Sequence, residues 1–184
     1  MHVSSALVSY SQLLRLLSDG KERQSRNVWF VLLSFLTHAA MVSKLLDPIR
    51  PEGAKEDRGT ALRKHLEVED GSAILSRAAR DNLEHIDERI DRWTKRGLTS
   101  VLEMVFEDRA GFEFIAHEDA AIRRVLIQDE MIFISEDRNG NRLETALTPI
   151  YGALKDLKAR CEHKLATESP YTYLLAQALR SSEP

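Results

Sequence analysis

The sequence has few features of a secreted protein, such as disulfide-forming cysteines or a secretory signal. Cys161 is the single cysteine in 184 residues, which excludes an internal disulfide framework and fits a reducing compartment. Residues 1–17 do not combine a cationic start with an apolar core and a small-residue cleavage site, so no secretory signal is predicted. We therefore expect a cytoplasmic protein.

Long apolar runs and an excess of one charge are also missing. The most apolar stretch, residues 28–36, is shorter than the ~20 residues of a membrane span, and Thr37 and His38 interrupt it. We expect it to be the most buried helix of a bundle and predict no membrane contact. The net charge is −3 and the isoelectric point is near 6.1, so the whole protein does not attract nucleic acid. Any RNA contact has to depend on a local cluster.

Motifs for cofactors and metals are missing as well. The sequence contains neither a glycine-rich dinucleotide-binding loop nor a P-loop. Cys161 and His163 cannot point at one zinc ion from a single helical turn, and no second ligand pair accompanies them. We therefore predict no metal and no cofactor. His38 is predicted to be a core histidine that a hydrogen bond satisfies, with a catalytic or ligand role as the alternative.

Helical patterns dominate what is present. Apolar residues recur at spacings of three and four in residues 4–18, and a longer pattern runs from Glu22 or Ser25 to Leu46, where Asp47-Pro48 ends it. Further helices are predicted at about residues 60–68, 71–97, 148–166 and 171–179. These patterns predict a mostly α fold built on a bundle of four to six helices.

The pattern changes after Gly97. Residues 124–127, 131–134 and 142–145 look like strands. Asn139-Gly140 lies between the last two and is a strong hairpin signal, because both residues tolerate positive φ. Residues 100–106 fit a strand or a helix equally. We predict a small antiparallel sheet of three or four strands.

The order of these elements predicts the domain organisation. A chain of 184 residues suits one domain, or one domain with an insertion. We predict a single domain over residues 1–184, with a helical bundle at 1–97 and 148–180 and a β-rich insertion at about 100–146.

Residues 71–97 are predicted to form one long central helix. Ser72 is the expected N-cap, and Gly97 suits the left-handed position just past the end. At 100° per residue, one apolar stripe of about 80° runs along the segment, which indicates a helix packed along one side. The stripe consists of Leu75, Ala79, Asn82, Ile86, Ile90 and Trp93.

The central helix carries the one set of residues that suggests catalysis. The neutral imidazole of His85 can take a proton near pH 7, and the planar cation of Arg80 suits a phosphate. His85 would deprotonate a ribose 2′-hydroxyl or protonate the leaving oxygen, while Arg80 would stabilise the charge on the phosphorus. Positions five apart on a regular helix point about 140° away from each other. The pair therefore needs an unwound helix or a second subunit to act on one atom.

The run Arg80-Asp81-Asn82-Leu83-Glu84-His85 resembles the signature of the HEPN domains, an Arg, a polar residue and then a His four to six positions beyond the Arg. The resemblance implies a bundle of four or five helices and a homodimer that brings two such motifs into one cleft. In active members it implies RNA cleavage without metal. Other members act as toxins paired with antitoxins or as partner-binding modules.

Two functions therefore stay open. In the first, Arg80 and His85 of two copies cut RNA, and Asp81 and Asn82 orient His85 or each other. In the second, the same residues are structural, with Arg80 paired to Glu84 and with Asn82 and His85 bonded across helices. The protein is then a non-catalytic dimerising or partner-binding module.

Overall fold

The computed structural model describes residues 1–48, 58–77, 86–95, 100–116, 121–137, 139–169, 171 and 174, and for residues 86–89 it describes the backbone alone. Within these ranges the chain is mostly helical, which confirms the predicted fold class at that level. The described helices are α1 (His2–Ser18), α2 (Arg26–Leu46), α3 (Arg58–His65), α4 (Ile86–Lys95), α5 (Arg109–Ile115) and α6 (Leu147–Glu168), with a 3₁₀ turn at Ala73–Leu75.

Helices α1, α2 and α6 build the main core. Ser9 of α1 hydrogen-bonds Ser34 of α2 at 2.9 Å, and Tyr10 stacks on Tyr151 of α6 with ring centroids 4.2 Å apart. The spacing of three and four that predicted these helices marks the buried sides, because such residues share one helix face. The fully buried members include Ala6, Leu13, Val28, Leu32, Phe35, Leu147 and Leu154.

Helix α2 is less completely buried than its apolar sequence suggests. Phe30 is 75% exposed, whereas Phe35 is fully buried. By length and composition alone α2 is long and apolar enough to cross a membrane, and 56% of that window is buried inside the protein. The core helix of a globular protein meets the same test.

The predicted β-rich insertion is a four-stranded sheet in the order β1 (Val101–Phe106), β2 (Ala121–Ile127), β3 (Ile132–Glu136) and β4 (Arg142–Ala146). The β2–β3 and β3–β4 pairs are antiparallel, as predicted. The fully antiparallel prediction is wrong for β1, which pairs with β2 in parallel. The reason is a crossover through α5, because a parallel pair cannot be joined by a hairpin. The sheet is therefore mixed.

Both faces of the sheet are covered. Val105, Leu126 and Phe133 belong to the same hydrophobic cluster as α1, α2 and α6. On the opposite face, Val125, Ile127 and Ile134 pack with the fully buried Phe112 of α5. Burial on both faces explains why the strands read as continuous apolar runs without strict alternation.

The prediction of one helix starting at Ser72 is wrong. Ser72 precedes only the 3₁₀ turn, and Ser76 leaves it with extended backbone, at φ −69° and ψ 129°. The hydroxyl of Ser43 donates to the carbonyl of Leu75 at 2.8 Å, where a continuing α-helix would place its own N–H. In α4, Trp93 is buried as the stripe predicted, whereas Ile90 is 51% exposed.

Candidate functional site

The four predicted site residues, the catalytic Arg80 and His85 and the supporting Asp81 and Asn82, lie outside the described residues. Arg77 is the last described residue before them, and Ile86 is the first one after them. The structure therefore defines the two ends of this segment. Each end is attached to a different part of the fold.

The first attachment joins residues 72–77 to the C-terminal end of α2. Ser43 is fully buried, and its hydrogen bond to the Leu75 carbonyl links positions 32 residues apart. Two residues later the guanidinium of Arg77 lies 3.6 Å from a carboxylate oxygen of Asp47. Ile74, just before these contacts, is buried in the main core. The chain thus approaches the motif from a fixed point.

Asp47 is shared by a second arginine. Nη1 of Arg63, in α3, lies 3.6 Å from the Asp47 carboxylate. The same Nη1 donates a hydrogen bond to the Leu46 carbonyl at 2.7 Å. The last carbonyls of a helix carry a partial negative charge that favours such a cation. Gly59 lets α3 come this close, because a Cβ there would lie 2.4 Å from the Leu46 oxygen. Only glycine fits this contact without a shift of the backbone.

The second attachment holds α4 on the sheet through a buried carboxylate. Glu136 is 6% exposed and accepts from Trp93 Nε1 at 2.9 Å and from Arg92 Nη2 at 3.3 Å. It also accepts from the backbone N–H of Ile122 at 2.6 Å. A buried charge is tolerated only when it is paired and hydrogen-bonded in this way. Glu136 therefore joins α4 to both β2 and β3.

The two attachments bracket the motif. His85 directly precedes Ile86, and Trp93 lies seven positions further on, about 10.5 Å along the helix. Because an α-helix of this length is stiff, a displacement of Trp93 relative to Glu136 would also displace Ile86, the residue after His85. The placement of any group near the start of α4 depends on this contact.

Sequence analysis did not single out Asp47 or Glu136 as functional. For Glu136 the signal is its register, since it follows Ile132 and Ile134 at spacings of two and faces the same side of β3. A carboxylate that follows two buried apolar residues on the same side of a strand is expected to be buried as well, and therefore to have a hydrogen-bond donor or a cation as its partner. For Asp47 the sequence offers no such signal, since Asp47-Pro48 indicates only the end of a helix.

A cavity of about 250 Å³ lies beside Ser76, close to the start of the bracketed segment. Its described lining consists of Ala73, Ser76, Leu143, Glu144, Thr145, Ala146, Pro149 and Ile150. Among these residues the single charged group is a carboxylate. The Glu144 carboxylate is paired with Arg109, and the described lining offers no cation to a phosphate.

A further set of ion pairs fastens α5 to the β-hairpins. Arg109 donates to Glu130 and to Glu144 through two bonds each, all at 2.9 Å. These bonds lower the pKa of both carboxyl groups, with the Arg109 hydrogen bonds as the largest cause. Arg142 adds a bond to Glu113. The cation of Arg109 is neutralised twice over and is not available to a phosphate.

Within the described part of the chain, no group of three or more His, Cys, Asp or Glu side chains could hold a metal ion. The prediction that the protein uses no metal and no cofactor stays a prediction. No family model, no curated protein and no solved structure matches this chain.

Proposed function

We propose that this is a HEPN-like protein and a metal-independent endoribonuclease, in which a homodimer brings Arg80 and His85 of two copies into one cleft. The observation that carries the proposal is the run from Arg80 to His85, which leads directly into a helix held on the sheet by Glu136. Asp81 and Asn82 would orient His85. The substrate is RNA, since the reaction uses its 2′-hydroxyl.

The chemistry is a transesterification that consumes neither water nor metal. One His85 takes the proton of the 2′-hydroxyl, and the 2′-oxygen attacks the adjacent phosphorus. The bond from phosphorus to the 5′-oxygen breaks, and that oxygen takes a proton from the protonated His85 of the second copy. Arg80 stabilises the extra negative charge on the phosphoryl oxygens. The products are a 2′,3′-cyclic phosphate and a 5′-hydroxyl.

The attachments at both ends of the motif support this proposal. Acid–base catalysis depends on groups held in position before the substrate arrives. Ser43 and Asp47 hold the chain before the motif, and Glu136 holds the helix after it. A buried ion pair carries a larger desolvation penalty than a surface one. Its presence two turns after His85 is consistent with a requirement that His85 be held in one position.

The alternative is a non-catalytic dimerising or partner-binding module, for example the partner of an antitoxin. Its support is electrostatic. The net charge is −3, and the cavity beside Ser76 carries a carboxylate. Neither feature favours strong binding of RNA. In this case Arg80 and His85 would serve packing and pairing.

One experiment separates the two functions. The wild type, His85→Ala and the control His163→Ala are incubated with labelled RNA in the presence of EDTA, and each is also expressed in a host whose growth is followed. His163 is an exposed histidine on α6, so its variant controls for the loss of an imidazole. We expect His85→Ala to cut at least about 10²-fold more slowly and to relieve growth arrest. Equal behaviour of all three proteins in both assays rejects the nuclease.

A further inference from the structure

Two histidines meet at the interface of α1 and α2, away from the predicted motif in sequence. His2 lies in the first turn of α1 and His38 in the second half of α2, and both are half-buried. Their Nδ1 atoms are 3.0 Å apart, and their ring centroids are 5.3 Å apart at an angle of 42°. The prediction that a hydrogen bond satisfies His38 is confirmed. The partner, however, is a second imidazole.

This contact requires that at least one ring be neutral. One Nδ1 donates its proton, and the other Nδ1 accepts it with a lone pair. Burial and the charge of His2 both lower the pKa of His38, which favours the neutral form of that ring. Imidazole nitrogens are common ligands of divalent transition metals, and here two of them face each other.

At their present separation the two nitrogens fit one class of coordination geometry better than another. With metal–nitrogen bonds of about 2.0–2.1 Å, two atoms 3.0 Å apart subtend an angle of about 95° at the ion. Neighbouring positions of a square-planar or octahedral ion have this angle, whereas a tetrahedral zinc site needs nitrogens about 3.3 Å apart. Square-planar nitrogen coordination is typical of Cu²⁺ and Ni²⁺.

We propose that His2 and His38 form a two-imidazole site for Cu²⁺. Ni²⁺ would bind to the same site more weakly. Both rings would coordinate through Nδ1 and carry their proton on Nε2. Each lone pair then turns from the other ring toward the shared ion, and the half-buried His2 in the terminal turn of α1 allows this. Water would occupy the remaining positions. The site does not depend on the proposed nuclease function.

The test uses the untagged full-length chain, because a histidine tag would bind the same ions. CuCl₂ is titrated into the wild type, His2→Gln, His38→Gln and the exposed control His163→Gln, followed by calorimetry and by electron paramagnetic resonance. We expect one Cu²⁺ per wild-type chain and a hyperfine pattern from two nitrogens. Both site variants should lose this binding and this pattern, while His163→Gln keeps them. A parallel titration with NiCl₂ should give weaker binding with the same dependence on the two histidines.

Two results would overturn the proposal. One is a wild type that binds no Cu²⁺ above the level of His2→Gln. The other is a two-nitrogen spectrum that persists in either site variant, since the ion is then held elsewhere. His38 packs in the bundle, so circular dichroism checks the fold of each variant. His2→Gln, at the end of α1, keeps the test decisive if His38→Gln unfolds.

Discussion

The indole N–H of Trp93 donates to the carboxylate of Glu136 across 2.9 Å, and this buried contact joins residues 43 positions apart. Arg92 shares the same carboxylate. The three side chains couple the last turns of α4 to the paired strands β2 and β3. Because α4 begins one residue after His85, the sheet supports the helix that follows the proposed catalytic residues.

Removal of the Glu136 carboxylate should destabilise the fold strongly. We expect Glu136→Ala to lower the free energy of unfolding by about 3–5 kcal/mol, since Arg92 and the Trp93 N–H then lose a buried partner. Urea titration followed by tryptophan fluorescence measures this loss. The matched control is Glu113→Ala, whose ion pair with Arg142 is exposed and should contribute no more than about 1 kcal/mol. Equal losses in both variants would contradict the role of Glu136.

The attachment through Ser43 should be stronger than an equivalent surface bond. Ser43→Ala removes a fully buried donor and leaves the carbonyl of Leu75 without this bond, which should cost about 1–3 kcal/mol of unfolding free energy. Ser11→Ala removes a hydroxyl that donates to the Leu7 carbonyl on the exposed side of α1. The carbonyl of Leu7 there has the helix and water as other partners, so we expect a change within about 0.5 kcal/mol. Thermal or urea unfolding of the two variants provides the comparison.

Two non-glycine residues with positive φ should respond oppositely to glycine. Glu67 has φ 54° and an exposed side chain, so Glu67→Gly should relieve strain and stabilise the fold by roughly 0.5–1 kcal/mol. Met131 has φ 50°, but its side chain is buried in the main core. Loss of that side chain costs about 2–5 kcal/mol in comparable sites, so Met131→Gly should destabilise the fold. Melting temperatures of the two variants test the contrast.

The ion pairs of Arg109 should contribute stability that is lost in acid. The pKa values of Glu130 and Glu144 are lower in the folded protein than their usual value of 4.5. The charged form therefore stabilises the fold above pH 4.5, and this contribution disappears as the pH falls through the lower folded values. We expect the difference in urea midpoint between the wild type and Glu144→Gln to be present at neutral pH and to vanish in acid. A difference that stays constant with pH would contradict this.

A site shared by two copies predicts complementation between inactive variants. Arg80→Ala and His85→Ala should each cut RNA poorly alone. After they are mixed, unfolded and refolded together, heterodimers hold one intact Arg80 and one intact His85 on different copies. This single His85 can act as the base while water protonates the leaving oxygen, so a small part of the activity should return. Cleavage of labelled RNA before and after mixing measures this. No recovery, with heterodimers present by mass spectrometry, would exclude a site completed across the dimer.

The helices and strands that could be predicted correctly from the sequence are those with long and regular apolar patterns. The periodic runs in α1, α2 and α6 predicted helices whose bounds agree with the structure to within a few residues. The pair Asn139-Gly140 lies between β3 and β4 as predicted. The helix α5 was missed, because its seven residues contain Phe112 and Phe114 at the spacing of a strand. The predicted site lies outside the described residues and stays a prediction.

The sequence by itself determined which segments are apolar on one side and therefore which become helices and strands of the core. It also determined the Arg80–His85 run on which the proposed function depends. Only the tertiary structure decided that β1 pairs in parallel, that the chain leaves a 3₁₀ turn at Ser76 with extended backbone and that Glu136 holds Trp93. Periodicity reports the burial of a local face. The partner of a buried polar group can lie far away in the sequence, where no local pattern reports it. Ser43 and Leu75 are 32 positions apart, and Trp93 and Glu136 are 43 positions apart.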